Sequence, residues 1–180
     1  MSPSEIVAFK IAEKAPFPVT MYVPSPPGYV TRYVNPSFEQ FSGFASNDLI
    51  GASWTELLSG AIDPLAFDNH IAALQNRGFS RACYWGLTSS RDRYYCLMFS
   101  ELIKIPNSDT LAVACHFDLS SSALASVAVD PTEFDDRSLI EKIEDDGPMA
   151  NHAEMQRHAL QMRAAGLSMA IRNAVMMSRV

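Results

Sequence analysis

Three cysteines, four histidines and two aspartate pairs are the side chains here that could carry chemistry, and their spacing argues against most of it. Cys83, Cys96 and Cys115 are odd in number, widely separated and embedded in strand-like stretches. They read as reduced core thiols rather than as a disulfide, redox or metal set. His152 and His158 lie six apart in a helical pattern, a spacing that does not put two imidazoles on one face, so no metal site is assigned. Asp135-Asp136 and Asp145-Asp146 belong to an acidic run that implies no pocket. The chain has no glycine-rich phosphate loop, Cys-x-x-Cys pair, His-x-x-x-His helix or nucleophile elbow. No catalytic residue is assigned, and the expectation is of a protein that is not an enzyme. What remains is His70, in a helical stretch, and His116, in a strand. A buried imidazole at position 116 would hydrogen-bond a ligand or the hydroxyl of Tyr84 or Tyr94.

These side chains must be positioned by a mixed α and β framework. The chain has 180 residues, 48% of them apolar, enough for one cored domain with an appendage. A net charge of −6 gives no basic footprint for nucleic acid. With neither a leader-like start nor a run of eighteen apolar residues, a soluble cytoplasmic protein without a membrane partner is expected. Ser2-Pro3-Ser4-Glu5 is a helix start with a capping box, and Ile6, Phe9, Val7 and Ile11 predict an apolar face through about Lys14. Val19–Val23 and Tyr29–Val34 predict a strand pair. Asn35-Pro36 then turns the chain into a short helix that Gly43 stops. Further short helices are predicted near Asp48 and over Ser53–Leu58, and a longer one from Asp63-Pro64 to about Arg77, ended by Gly78.

Three long strands follow, Ser80–Thr88, Arg93–Lys104 and Thr110–Leu119. Alternation divides their side chains between two faces. One face carries Ala82, Tyr84, Gly86, Tyr94, Cys96, Met98, Ala112, Ala114 and His116. The other carries Cys83, Trp85, Leu87, Tyr95, Leu97, Phe99, Leu111, Val113, Cys115 and Phe117. The second set is strongly apolar and needs a cover, either helices of the same chain or a second subunit.

The order of these elements resembles a PAS domain. The resemblance rests on Tyr33-Val34-Asn35-Pro36-Ser37-Phe38, Ser42-Gly43-Phe44, Asp48-Leu49-Ile50-Gly51 and the terminal Phe117-Asp118-Leu119-Ser120, and it covers about Pro16 to Ser120. It implies an α+β PAS fold: a five-stranded antiparallel sheet with short helices on one face, a flanking N-terminal helix and a C-terminal helical extension. It also implies that His116, two residues before Asp118, points into a cavity. The cavity candidates are then Tyr84, Tyr94, Cys96, Met98, His116 and Trp54. The first half looks most like the flavin-binding light-sensing subgroup. There the reactive cysteine of an Asn-Cys-Arg-Phe-Leu-Gln run would align with Trp54, and its phosphate-holding arginine with Thr55. No cofactor is therefore expected. Haem, which related sensors hold through a helical histidine, is the weaker alternative, because His70 does not align with the usual ligand.

The last helical stretch repeats methionine every seven residues, at Met155, Met162, Met169 and Met176, with a second register at Ala153, Leu160, Leu167 and Ala174. Such a helix either joins subunits or covers its own sheet. The interface candidates are Trp85, Leu97, Phe99, Val113, Phe117, Met155, Met162 and Met169. Between the core and this helix, Asp130–Asp146 carries eight carboxylates against Arg137 and Lys142, while the tail after Gly147 is basic. The expected units are an N-terminal helix at 1–15, a PAS domain at 16–121, an acidic linker at 122–147 and a C-terminal helix at 148–180. The expected function is a PAS-type sensory or regulatory protein acting by protein–protein contact, as a homodimer or adaptor with signalling partners, with a small ligand as modulator. The alternatives are a cofactor-binding sensor, or the sensory part of a larger signalling protein whose output domain follows Val180.

Overall fold

The structure, a computed structural model, describes residues 1–26, 28–53, 64–105, 109–120 and 148–178. The chain runs α1 (Pro3–Glu13), β1 (Val19–Ser25), β2 (Gly28–Val34), α2 (Pro36–Ser42), α3 (Ser46–Leu49), α4 (Pro64–Arg77), β3 (Phe79–Leu87), β4 (Arg93–Lys104), β5 (Thr110–Asp118) and α5 (Pro148–Met177). The strands form one antiparallel sheet in the order β2-β1-β5-β4-β3. This is the α+β architecture expected from the sequence. The acidic run 130–146, Trp54, and the third short helix expected from Ser53 (beyond Ser53 itself) lie outside the described residues. Among the described residues no helix is long and apolar enough to cross a membrane.

The start of the fold is set by capping chemistry. Ser2 accepts from the Glu5 amide and Glu5 accepts from the Ser2 amide, closing the capping box around Pro3. The face that α1 buries is not the predicted one. Ala8 and Ala12 are fully buried, whereas Ile6 is exposed and Phe9 and Ile11 are only partly covered. Alanines let the helix backbone approach its neighbours closely, and Phe9 lies instead along Tyr33 with ring centroids 4.7 Å apart.

Asn35 holds the corner where α1, β1 and α2 meet. Its Oδ1 accepts from the amides of Phe38 and Val19, each at 2.9 Å. Its Nδ2 donates toward the carbonyls of Ala12 (3.1 Å), Phe17 (3.0 Å) and Ala15 (3.4 Å). One amide thus caps α2 and also satisfies backbone groups on two other segments. Gly43 closes α2 in the left-handed conformation, φ 74°, with its amide on the Glu39 carbonyl. A side chain there would also strike Ser89 in the β3–β4 turn.

The sheet separates two cores. Its outer face (Val19, Met21, Tyr95, Leu97, Phe99, Leu111, Val113, Cys115 and Phe117) packs against Ala8 and Ala12 of α1 and against Ala164, Leu167, Ile171 and Val175 of α5. The cover that this face needs comes from the same chain. Leu97, Phe99, Val113 and Phe117, expected at an interface, are buried in this way, which corrects their assignment as a surface awaiting a second subunit. Trp85 stays partly open and packs on Tyr95, with centroids 4.9 Å apart. Arg172 pairs with Glu101 and fastens α5 to β4.

Candidate functional site

The inner face of the sheet carries the other core, in which Tyr22, Tyr84, Tyr94, Cys96, Met98, Ala112 and Ala114 gather under Leu74 of α4. Period-two alternation puts these residues on one side, and the register does the rest. Tyr84 stands opposite Cys96, and Met98 opposite His116. The β1–β5 pairing then places Thr20 against Ala114, next to His116.

His116 is fully buried and hydrogen-bonded at both ring nitrogens. Nδ1 lies 2.8 Å from the Tyr84 hydroxyl and Nε2 lies 2.8 Å from Thr20 Oγ1. Thr20 Oγ1 donates to the Tyr22 hydroxyl at 2.8 Å. Because its only proton is spent there, Thr20 must accept from His116, which fixes the Nε2–H tautomer. Nδ1 then accepts from Tyr84. A neutral imidazole satisfies both partners as they stand, whereas the imidazolium would require the Tyr84 hydroxyl to turn its proton away and accept at Nδ1. Burial, reinforced by the nearby His70, pushes the His116 pKa down to about 3. Burial lowers His70 to about 4; its Nδ1 bonds Ser80 at 2.9 Å.

The network carries no nucleophile. Burial pushes the Cys96 thiol up to about 12 and the Tyr22, Tyr84 and Tyr94 hydroxyls well above their ordinary range. Phenol and thiol stay protonated, so the arrangement can orient a polar group but does not ionise one. Rings complete the packing. Phe38 meets His116 edge-on at 4.9 Å, and Phe41 meets Tyr94 at 4.5 Å.

Above the network a cavity of about 20 Å³ remains, lined by Tyr22, Phe38, Ser42, Phe44, Leu49, Tyr84, Leu87, Tyr94 and His116. That volume holds about one water. Of the six residues expected at the cavity, Tyr84, Tyr94 and His116 line it, and Cys96 and Met98 belong to the core beneath it. Trp54 lies outside the described residues. Sequence reasoning missed Thr20, whose partner His116 is remote in the chain, its neighbour Tyr22, Phe38 and Leu49 on the short helices, and Phe44 in the loop between them. It also put Leu87 on the outer face. Leu87 ends β3, and there the residue reaches the cavity mouth while staying partly exposed.

Gly86 sets how tightly this pocket closes, because the Tyr94 ring lies over it where any Cβ would collide. Phe41 and Tyr84 bound the same ring, so it cannot swing aside freely. Gly86→Ala is expected to cost about 1–3 kcal/mol, the usual range for overpacking. Adding Tyr94→Leu should recover part of that loss. Strict additivity of the two changes in urea denaturation would show that the contact does not govern the site.

Comparisons with known proteins agree with this geometry. A family model described as a PAS domain matches residues 18–121. No match is found among curated proteins. Among solved structures the chain is similar to a Rhodobacter sphaeroides LOV protein, at 14% identity and a TM-score of 0.61, over 97% of this chain and 96% of that one. It is also similar to the LOV domain of the Erythrobacter litoralis EL346 blue-light activated histidine kinase, at 19% identity and a TM-score of 0.52, over 59% of this chain and 98% of that one. A third, a light-oxygen-voltage domain studied with a flavin analogue, matches at 15% identity and a TM-score of 0.54, over 65% of this chain and 87% of that one. At these identities the structures speak to the fold, while the family match spans more than half of the chain. With the five-stranded antiparallel sheet, its short helices and a histidine turned inward two residues before the terminal Asp118, the chain belongs to the PAS domain family.

Proposed function

We propose that this chain is a PAS sensory and regulatory protein working in the cytoplasm through protein–protein contact, as a homodimer or adaptor, with no reaction of its own. Its input is a small uncharged ligand, or the loss of one, at the cavity lined by Tyr84, Tyr94 and His116. The observation that carries this reading is the bonded series Tyr84–His116–Thr20–Tyr22, which crosses from β3 through β5 to β1 directly beneath the cavity. A group that displaced the Tyr84 hydroxyl would compel His116 and Thr20 to find new partners, because unsatisfied buried polar groups cost about 1–3 kcal/mol each. On the opposite face of the same strands lies α5, so strain in the sheet reaches the helix.

In this reading neither flavin nor haem is the input. What supports it is that, among the described residues, Tyr84 and Tyr94 crowd the inner face of the sheet beside Phe41 and leave a cavity of about 20 Å³ next to His116, and that the family resemblance aligns Trp54, not a cysteine, with the reactive flavin-binding position. Signalling without either group is the reading these contacts favour.

The test is an absorbance spectrum of the purified protein with mass spectrometry of whatever denaturation releases, repeated for His116→Ala. A colourless protein is expected, and any released molecule should be small and held more weakly by the variant. A stoichiometric flavin or haem would overturn the reading. So would a ligand whose affinity is the same in the folded His116→Ala protein.

A further inference from the structure

α5 has two faces, and only one of them is used within the chain. Leu160, Ala164, Leu167, Ile171 and Val175 turn toward the sheet. On the far side Met155, Met162, Met169 and Met176 stand 71%, 60%, 61% and 62% exposed, one every seven residues. Between them on the same side, at alternating steps of four and three, lie Ala159, Gly166 and Asn173, all exposed. Large and small residues therefore alternate along one seam in a heptad pattern, the arrangement of knobs and holes that packs helix on helix.

We propose that this seam binds α5 of a second copy of the chain, with the two helices antiparallel. The inference rests on the homodimer reading above and adds its surface and its direction. In a parallel pair each methionine layer meets methionine and each small layer meets small, so the seam is alternately overfilled and hollow. In an antiparallel pair centred near Ala164, Met162 meets Gly166, Met155 meets Asn173 and Met169 meets Ala159 of the other copy, so each of these three methionines has a smaller residue opposite it. Opposed helix dipoles favour the same direction. Eight methionines across the pair, at roughly 100 Å² each, with the small residues between them, bring the buried area to about the 1,000 Å² that specific association requires.

The experiment is sedimentation of the full chain, together with Met162→Glu/Met169→Glu and two cysteine variants. The wild type should sediment as a dimer, and the double glutamate variant should become monomeric with an unchanged circular dichroism spectrum, its dimer dissociation constant raised at least a hundredfold. Under mild oxidation Met162→Cys/Gly166→Cys should cross-link two chains efficiently, and Met162→Cys alone should not. A dimer that survives the glutamates removes α5 from the interface while leaving the homodimer reading intact, and a monomeric wild type removes both. Efficient cross-linking of Met162→Cys alone overturns the antiparallel direction.

Discussion

Asn35→Ala is expected to destabilise the protein by about 3–5 kcal/mol. Loss of the α2 cap accounts for about 1 kcal/mol. The rest comes from the buried Val19 amide and the Ala12 and Phe17 carbonyls, which lose the partner that satisfied them. Asn35→Asp discriminates this account from a simple capping role. Aspartate is as good a cap as asparagine, and its carboxylate can still accept from Phe38 and Val19. Its second oxygen, however, would face the three carbonyls that Nδ2 now binds, and the site is fully buried. At pH 7 the aspartate variant should therefore be at least as unstable as the alanine variant, read as a shift in the urea midpoint at constant slope. An aspartate variant within 1 kcal/mol of the wild type would reduce Asn35 to a helix cap.

How much of this could be read in the chain depends on the range of each interaction. The capping box at Ser2, the stop at Gly43, the end of α4 at Gly78 and the division of the three long strands into two faces are local patterns, and the structure follows them. The sequence marked Asn35-Pro36 as a turn but gave no hint of Asn35's five hydrogen bonds, because four of their partners lie 16 to 23 residues away. The same holds for the site. His116 was legible two residues before Asp118, yet Thr20, which fixes its tautomer, is 96 residues distant and found only through the β1–β5 register. Helix faces were the hardest to read. α1 is apolar on several sides, and close packing chose its alanines over its larger side chains. On α5 the regular methionines drew attention, while the sheet took the less regular set of Ala164, Leu167, Ile171 and Val175, whose branched and small side chains fit a flat surface.

Acid should unfold this protein unusually early, and histidine rather than carboxylate titration should set the onset. In the unfolded chain both His70 and His116 take up protons near pH 6.5. In the folded chain burial holds them neutral down to about 4 and about 3. Above pH 6.5 neither state is protonated and the two residues leave stability independent of pH. Below it the unfolded state binds protons that the folded state refuses, so stability falls as pH falls. The slope approaches 1.4 kcal/mol per unit for each histidine, or about 2.7 for both, until the folded pKa values are reached. Between pH 6.5 and 4.5 the loss is about 4–5 kcal/mol, a large part of the 5–15 kcal/mol that holds a typical domain together. The Glu5 carboxyl, whose hydrogen bonds with Ser2 and proximity to Arg32 outweigh its burial and lower its pKa, adds its own loss only below about 4.5. The histidine loss therefore starts about two pH units before the Glu5 loss, and the two overlap only below about 4.5. Urea midpoints at half-unit steps from pH 7.5 to 4.5 check the slope, and His70→Asn, which keeps an acceptor for Ser80, should roughly halve it. His116→Gln should also halve it, at a higher starting cost because glutamine cannot reach Tyr84 and Thr20 as the flat ring does. A midpoint that stays level from pH 7 to pH 5 would mean that His116 finds an acceptor for its second proton, and the neutral network beneath the cavity would have to be redrawn.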